Sequence, residues 1–277
     1  MPTIRDALND NRLPRLETRL LLAHALGHPR PAHAHAWLLA RDTEALPVDA
    51  AGRFDALVER RIAGEPIAYL TGHREFYGRD FGCSPAALIP RPETELLIDL
   101  ALERLPADFN GRILDVGTGT GCIAITLALE RPRAQVTALD VSADALSLAS
   151  ENAIALGATN VRCVESNWFV ALDTNQRFDL IVSNPPYVVP GDAHLTQGDL
   201  RYEPAIALAD AVDGLESYRQ LAAGAQRHLA PGGWVIVEHG YDQGESVPNL
   251  LRATAFADVA LHRDLAGLPR VTTARHP

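Results

Sequence analysis

An α/β fold is predicted, with a mostly parallel sheet covered by helices on both faces and a small all-helical region ahead of it. Two features of the 277-residue sequence carry this reading. From Arg112 onward, short apolar runs of strand length alternate with helical stretches, the pattern of a parallel sheet wrapped by crossover helices. Before about Phe76 only helical spacing occurs.

In the first part, Leu16, Leu20 and Ala23 recur at helical spacing until Gly27 and Pro29 stop the pattern. Phe54, Leu57, Val58 and Ile62 repeat it before Gly64 and Pro66. A helical domain over residues 1–75 follows from this. Residues 76–92, rich in Gly, Pro and aromatics, suit a hairpin linker, and residues 93–277 form the α/β domain. A helix is expected over Glu93–Leu105, since Pro92 suits a first helical turn. Strands are expected at Ile113–Val116, Val136–Asp140, Val161–Glu165, Leu180–Ser183 and Trp234–Glu238. Helices are expected at Cys122–Glu130, Ala143–Ala155 and Tyr218–Leu229. Val259, Leu261, Val271 and Thr273 flank Gly267-Leu268-Pro269 as two closing strands.

Composition narrows the function. With 47% hydrophobic residues the chain can build a sizeable core, and its net charge is −10. That balance weighs against a broad phosphate-binding surface, which needs clustered Lys and Arg. Met1–Asp10 has no apolar signal region, and no apolar run approaches the ~20 residues of a membrane span. A cytoplasmic protein without membrane contact is expected. Cys83, Cys122 and Cys163 are far apart, match no metal or disulfide spacing, and read as small buried side chains.

The segment Ile113-Leu114-Asp115-Val116-Gly117-Thr118-Gly119-Thr120-Gly121 is a buried strand entering a glycine turn and then a helix. Glycines at alternate positions let the backbone turn tightly and let a ligand approach the main chain. Dinucleotide sites space their third glycine one position later, so a ligand without a pyrophosphate is the better fit. Asp140 ends the next strand, where a carboxylate can accept both ribose hydroxyls of an adenosyl group. Asp115 and Asp140 together predict a negative pocket, suited to a sulfonium and an ammonium. After the third strand, Trp168 offers a flat face, and Glu165 or Asn167 an edge, for the adenine; packing at a domain interface is the alternative for Trp168.

Ile181-Val182-Ser183-Asn184-Pro185-Pro186-Tyr187 is the most specific signal. A buried strand delivers Asn184 at its C-terminal end, and the two prolines fix the backbone without competing N–H groups. The Asn184 side-chain oxygen and the Pro185 carbonyl are then fixed acceptors, and Tyr187 can stack on a planar group. Beside a methyl donor, two such acceptors suit a planar NH₂. They draw its nitrogen toward tetrahedral geometry and stabilise the positive charge that develops during transfer. Adenine N6, cytosine N4 and a glutamine amide all present that group.

The combination resembles the class I S-adenosylmethionine-dependent methyltransferases with an Asn-Pro-Pro-Tyr site, and within them the release factor glutamine methyltransferases. The narrower match rests on Gly64-Glu65-Pro66-Ile67-Ala68-Tyr69-Leu70-Thr71-Gly72, Arg74-Glu75-Phe76, Leu88-Ile89-Pro90-Arg91-Pro92-Glu93-Thr94-Glu95 and Glu238-His239-Gly240. It spans about residue 8 to the end. The resemblance implies a Rossmann-like, seven-stranded sheet joined by a hairpin linker to a helical substrate-recognition domain. It implies S-adenosyl-L-methionine as cofactor and, as partner, bacterial class I peptide chain release factors, methylated on the glutamine of their Gly-Gly-Gln motif. It assigns Gly117, Thr118, Gly119, Thr120, Gly121, Asp140, Trp168 and Asn184 to the cofactor, and Asn184, Pro185, Pro186 and Tyr187 to the target glutamine, with Asn184 and Pro185 catalytic. One departure is Asn167, where the family pattern has Asp.

Three rival functions differ in what they need. A ribosomal-protein glutamine methyltransferase would carry a Ser near Glu93. A nucleic-acid amino-methyltransferase needs a basic surface and a region that grips a flipped base. A non-catalytic cofactor-binding module leaves Asn184–Tyr187 unexplained. His24, His28, His33 and His35 lack a nearby carboxylate or Cys and read as solvated rather than as a metal site. Arg91 and Glu93 are readable as site-closing or as an ion pair, and Glu238 and His239 as substrate contacts or as buried hydrogen-bonding groups.

Overall fold

The computed structural model describes residues 2–28, 34–189, 191–192, 198–210 and 212–277. Helices α1 (Ile4–Leu8), α2 (Arg15–Ala25), α3 (His35–Leu39), α4 (Val48–Ile62) and α5 (Ile67–Thr71) build the N-terminal part. Leu21 and Leu22 of α2 and Phe54, Leu57 and Val58 of α4 bury against one another in its core. α4 carries Asp49 in its first turn and Arg60 and Arg61 in its last, the charge order its dipole favours. α5 stops at Gly72, whose φ of 77° suits a residue without Cβ.

A hairpin follows, made of β1 (His73–Phe76) and β2 (Arg79–Gly82). It starts upstream of the expected Phe76. His73, Arg74 and Glu75 are exposed, so the first strand shows no apolar alternation to read. Tyr77 and Gly78 both take positive φ (51° and 72°), the conformation of a tight two-residue hairpin turn. Phe76 and Phe81 point into the core of the α/β part. Pro92–Thr94 form a 3₁₀ turn that runs into α6 (Glu95–Arg104), so the helix expected from Glu93 begins slightly later.

The remaining elements are β3 (Arg112–Val116), α7 (Cys122–Glu130), β4 (Gln135–Asp140), α8 (Ala143–Leu156), β5 (Val161–Glu165), β6 (Phe178–Ser183), α9 (Ala205–Leu208), α10 (Glu216–His228), β7 (Leu229–Glu238), α11 (Ser246–Ala253), β8 (Ala257–Arg263) and β9 (Pro269–Arg275). Among the described residues they make a seven-stranded sheet of order β5-β4-β3-β6-β7-β9-β8. β3 to β7 run parallel, and β9 and β8 close the edge antiparallel. α6 and α7 cover one face, where Leu97, Ile98, Ile123 and Leu127 are buried. α10 and α11 cover the other with Tyr218, Leu221, Val247 and Leu251. The chain leaves β3 toward β4 on one side and returns to β6 on the other. A crevice therefore opens beyond the C-terminal ends of β3 and β6, the usual ligand position in an open α/β sheet.

Candidate active site

That crevice is a cleft of about 340 Å³. The loop after β3 forms its floor. Gly117 and Gly119 take φ of 74° and 55°. A Cβ on Gly117 would meet nothing within 4 Å, and one on Gly119 only Ala87, at 3.7 Å. The absent side chains thus leave room against the main chain, as a ligand lying along the turn requires. Thr118 and Thr120 line the same floor. Gly121 does not. It starts α7 with φ 81°, and a Cβ there would lie 2.7 Å from Ile125 Cδ1 and 3.1 Å from Ala149 Cβ. Close helix packing, rather than ligand contact, is what it provides.

Asp140 lines the cleft at the end of β4 and fixes the turn from the side. Its Oδ2 accepts from Gly119 N at 2.9 Å and its Oδ1 from Ser142 N at 3.0 Å. Each carboxylate oxygen keeps a second lone pair for a ligand hydroxyl. Asp115 behaves differently from the negative wall expected. It is wholly buried, accepts from the Thr118 hydroxyl at 2.7 Å and Ala124 N at 3.2 Å, and is pushed up to about 7 by burial. It braces the turn and the start of α7, and leaves the negative character of the cleft to Asp140.

Asn167 and Trp168 line the far end of the cleft, while Glu165 is not among the lining residues. Trp168 sits at φ 54°, a backbone state costly for a large side chain. Ser166 holds it there, its hydroxyl donating to Trp168 O at 2.7 Å and accepting from Ala171 N at 3.1 Å. The indole also packs on the apolar cluster beneath α10, so cleft wall and packing are combined.

Asn184, Pro185 and Pro186 line the same cleft, on the loop beside the glycine turn. Ser183 ties the two loops together by donating to Val116 O at 2.6 Å. Asn184 Nδ2 donates to the Thr94 hydroxyl at 3.3 Å. Tyr187 is not among the lining residues; it is half-buried against the cluster that holds Tyr218.

Arg91, one of the site-closing candidates, does line the cleft, with Ala86–Pro90 of the linker and Thr94 of the turn before α6. Ile206, Ala207 and Ala209, from the segment around α9, were not singled out by the sequence. Glu203 joins these two walls. Its buried carboxylate accepts from Ile89 N at 3.0 Å and from the Arg91 guanidinium. Arg91 is thus ion-paired with Glu203 rather than with Glu93, which is exposed. Asn152 on α8 clamps the hairpin to the glycine turn, accepting from Gly82 N at 2.8 Å and donating to Gly82 O at 3.1 Å and Thr120 O at 2.9 Å. No sequence signal distinguishes Glu203 or Asn152 from an ordinary surface acid or amide.

Glu238 and His239 lie behind the cleft. His239 is buried, with Nδ1 at 2.9 Å from Gly240 O and Nε2 at 2.9 Å from Thr272 Oγ1, an internal tether. Glu238 is buried against Thr94 and Asn184 and pushed up to about 7 by burial. Burial also pushes the Cys83 and Cys122 thiols up to about 12, whereas Cys163 is half-buried. Among the described residues no group of three His, Cys, Asp or Glu side chains could hold a metal ion, and His33 lies outside them. No helix among them is long and apolar enough to cross a membrane.

The parallel sheet closed by an antiparallel β8–β9 pair, with a glycine-turn cleft at the ends of β3 and β6, defines a class I methyltransferase. A methyltransferase from Pyrococcus furiosus shares the fold, with a TM-score of 0.52 at 21% identity over 78% of this chain and 95% of that one. The model of the methyltransferase small domain matches residues 94–200, and that of the PrmC N-terminal domain matches residues 3–72. The release factor glutamine methyltransferase of Bordetella pertussis is 49% identical, covering 98% of each chain. That of Neisseria gonorrhoeae is 47% identical, covering 99% of this chain and 98% of the relative. The chain belongs to the release factor glutamine methyltransferase family.

Proposed function

We propose that this protein transfers a methyl group from S-adenosylmethionine to the side-chain amide nitrogen of the glutamine in the Gly-Gly-Gln motif of class I peptide chain release factors. The observation that carries the reading is the convergence, in one cleft, of the glycine turn with Asp140 and the neighbouring Asn184–Pro186 loop. S-adenosylmethionine supplies, when bound, a methyl on a sulfonium. Gly117–Thr120, Asp140 and Trp168 would hold it. Asp140 would accept ribose hydroxyls, and the open space above Gly117 and Gly119 would admit the ligand against the main chain.

Asn184 and Pro185 do the work on the target. With Nδ2 engaged by Thr94, the planar Asn184 amide offers Oδ1 to the cleft. Oδ1 and the Pro185 carbonyl would each accept one hydrogen of the glutamine NH₂. These contacts strengthen as the nitrogen gains positive charge, so they favour the transition state over the bound ground state. Held by Asn184 Oδ1 and the Pro185 carbonyl, the nitrogen would take the methyl while the bonding pair stays on the cofactor's sulfur, and would then release one proton to solvent. The chain would divide functionally into a helical recognition domain (residues 1–72), a hairpin and linker (73–92) and a catalytic domain (93–277). The helical domain would meet the release factor, a protein partner, with no nucleic acid or membrane needed. Incubation of the full-length protein with methyl-labelled cofactor and purified release factors, followed by mass spectrometry of the Gly-Gly-Gln peptide, tests this. A methyl on that glutamine is expected; label found on another residue, or none, overturns it.

A further inference from the structure

We infer that Thr94 and Glu238 are positioning residues that fix which way round the Asn184 amide sits, so that Oδ1 rather than Nδ2 meets the target nitrogen. The inference rests on the function proposed for Asn184.

An asparagine amide can be turned over with no change of volume, yet only one orientation is useful here. Oδ1 accepts from an NH₂, whereas Nδ2 would set one donor against another. Something must therefore choose. β6 and β7 lie side by side with Ser183 opposite Val237, so Asn184 and Glu238 leave neighbouring strand ends together. Thr94, 2% exposed, meets them from the turn before α6. Glu238, also 2% exposed, lies within hydrogen-bonding reach of Thr94 and Asn184, while its Oε2 is buried without a partner.

The polarity of this chain follows from valence. An ionised carboxylate can only accept, so the Thr94 hydroxyl gives its single hydrogen to Glu238. The lone pairs of Thr94 Oγ1 are then what Asn184 encounters, and Nδ2 donates to them at 3.3 Å. Turning the amide over would press Oδ1 against the Thr94 lone pairs and the Glu238 carboxylate, away from water, where such repulsion is strongest. A protonated Glu238 can donate, and the orientation is then no longer enforced. Burial, and more weakly Glu93, oppose the ionised form of Glu238, while Thr94, Arg270 and Asn184 favour it. Tyr187, Tyr218 and Cys122 face it as neutral groups.

The test is steady-state and single-turnover kinetics on full-length Glu238→Gln, Thr94→Val, Thr94→Ser and Asn184→Ala, with release factor as substrate and calorimetry for the cofactor. Glu238→Gln and Thr94→Val should each lower kcat by roughly 10- to 100-fold, within the range seen for one misplaced dipole, while cofactor affinity stays within about two-fold. Thr94→Ser keeps the hydroxyl and should regain about ten-fold over Thr94→Val. The wild-type kcat should fall on the acid side of a pH near 7, and Glu238→Gln should abolish that limb. If Glu238→Gln does not fold, the Thr94 pair decides alone. Unchanged kcat in Thr94→Val, or no gain from Thr94→Ser, overturns the positioning role. A wild-type rate in Asn184→Ala would instead overturn the function proposed for that residue.

Discussion

Asp140 is asked to do two things at once, and a single substitution removes both. Its two oxygens already take Gly119 N and Ser142 N, so it shapes the turn before any ligand arrives. Asp140→Ala should weaken S-adenosylmethionine binding by about 1.5–3 kcal/mol, the usual worth of hydrogen bonds to a charged group. Calorimetry finding unchanged affinity would take Asp140 out of the cofactor site. Asp115 carries a different prediction, one of stability. Burial raises it to about 7 in the folded state from 3.8. Folding therefore takes up a proton, and the associated stability is full at low pH and lost as pH rises through 7. Half-buried His24 and buried His239 are lowered by burial and push the other way. The readout is accordingly a difference: the stability of the wild type relative to Asp115→Asn should decline between about pH 4 and about pH 8. A pH-independent difference in denaturant midpoints would mean that Asp115 is already ionised at low pH.

At the level of elements, Gly121 bears on helix packing. A methyl there would face both a left-handed φ of 81° and Ile125 Cδ1 at 2.7 Å. Gly121→Ala should destabilise the fold by about 1–3 kcal/mol in urea unfolding, lowering the midpoint without altering the slope. A neutral result would mean that α7 shifts freely against α8. The elements themselves were readable because their signals are local. The apolar run Ile113–Val116, the glycines that follow it and the prolines after Asn184 each announce a strand end within a few residues, and Val161–Glu165 appears with the bounds expected. The exposed strand His73–Phe76 was not readable, because three of its four residues face solvent and show no alternation. The cleft was legible in its two motif loops, in Asp140, Asn167 and Trp168 at the ends of the next two strands, and in Arg91 as a site-closing candidate. Thr94, Glu203 and Asn152 act through partners far along the chain, and Glu203 meets Ile89 across 114 positions. A lone acid or amide has no period or spacing to betray such a role. Asp115 was misjudged for a related reason: its neighbours in sequence say nothing of the total burial that suppresses its charge.

On the scale of the whole molecule, the end of α4 clasps the segment that walls the cleft. Arg61 donates to Asp199 at 2.7 Å while also holding Glu17 at 2.8 Å and Glu65 O at 3.1 Å. Ala63 O, at the negative end of α4, accepts from Tyr202 OH at 2.9 Å and from Arg201. Just beyond, Glu203 grips the linker, and Ile206 and Ala207 line the cleft. If the helical domain holds the body of the release factor while the cleft takes one side chain, this clasp sets the distance between the two grips. Breaking it should harm a protein substrate and spare a short peptide. Arg61→Ala should raise KM for intact release factor by about three- to ten-fold, equivalent to roughly 0.6–1.4 kcal/mol, and leave KM for a Gly-Gly-Gln peptide and the cofactor affinity within about two-fold. Because Arg61 also serves Glu17, the single substitution overstates the clasp. A double-mutant cycle with Asp199→Ala isolates it, with a coupling of about 0.5–1 kcal/mol expected for a partly exposed pair. A cycle that closes at zero would show that the two grips act independently of this contact, and a peptide KM that rises as much as that of the protein would show that the contact shapes the cleft itself rather than the distance between the grips.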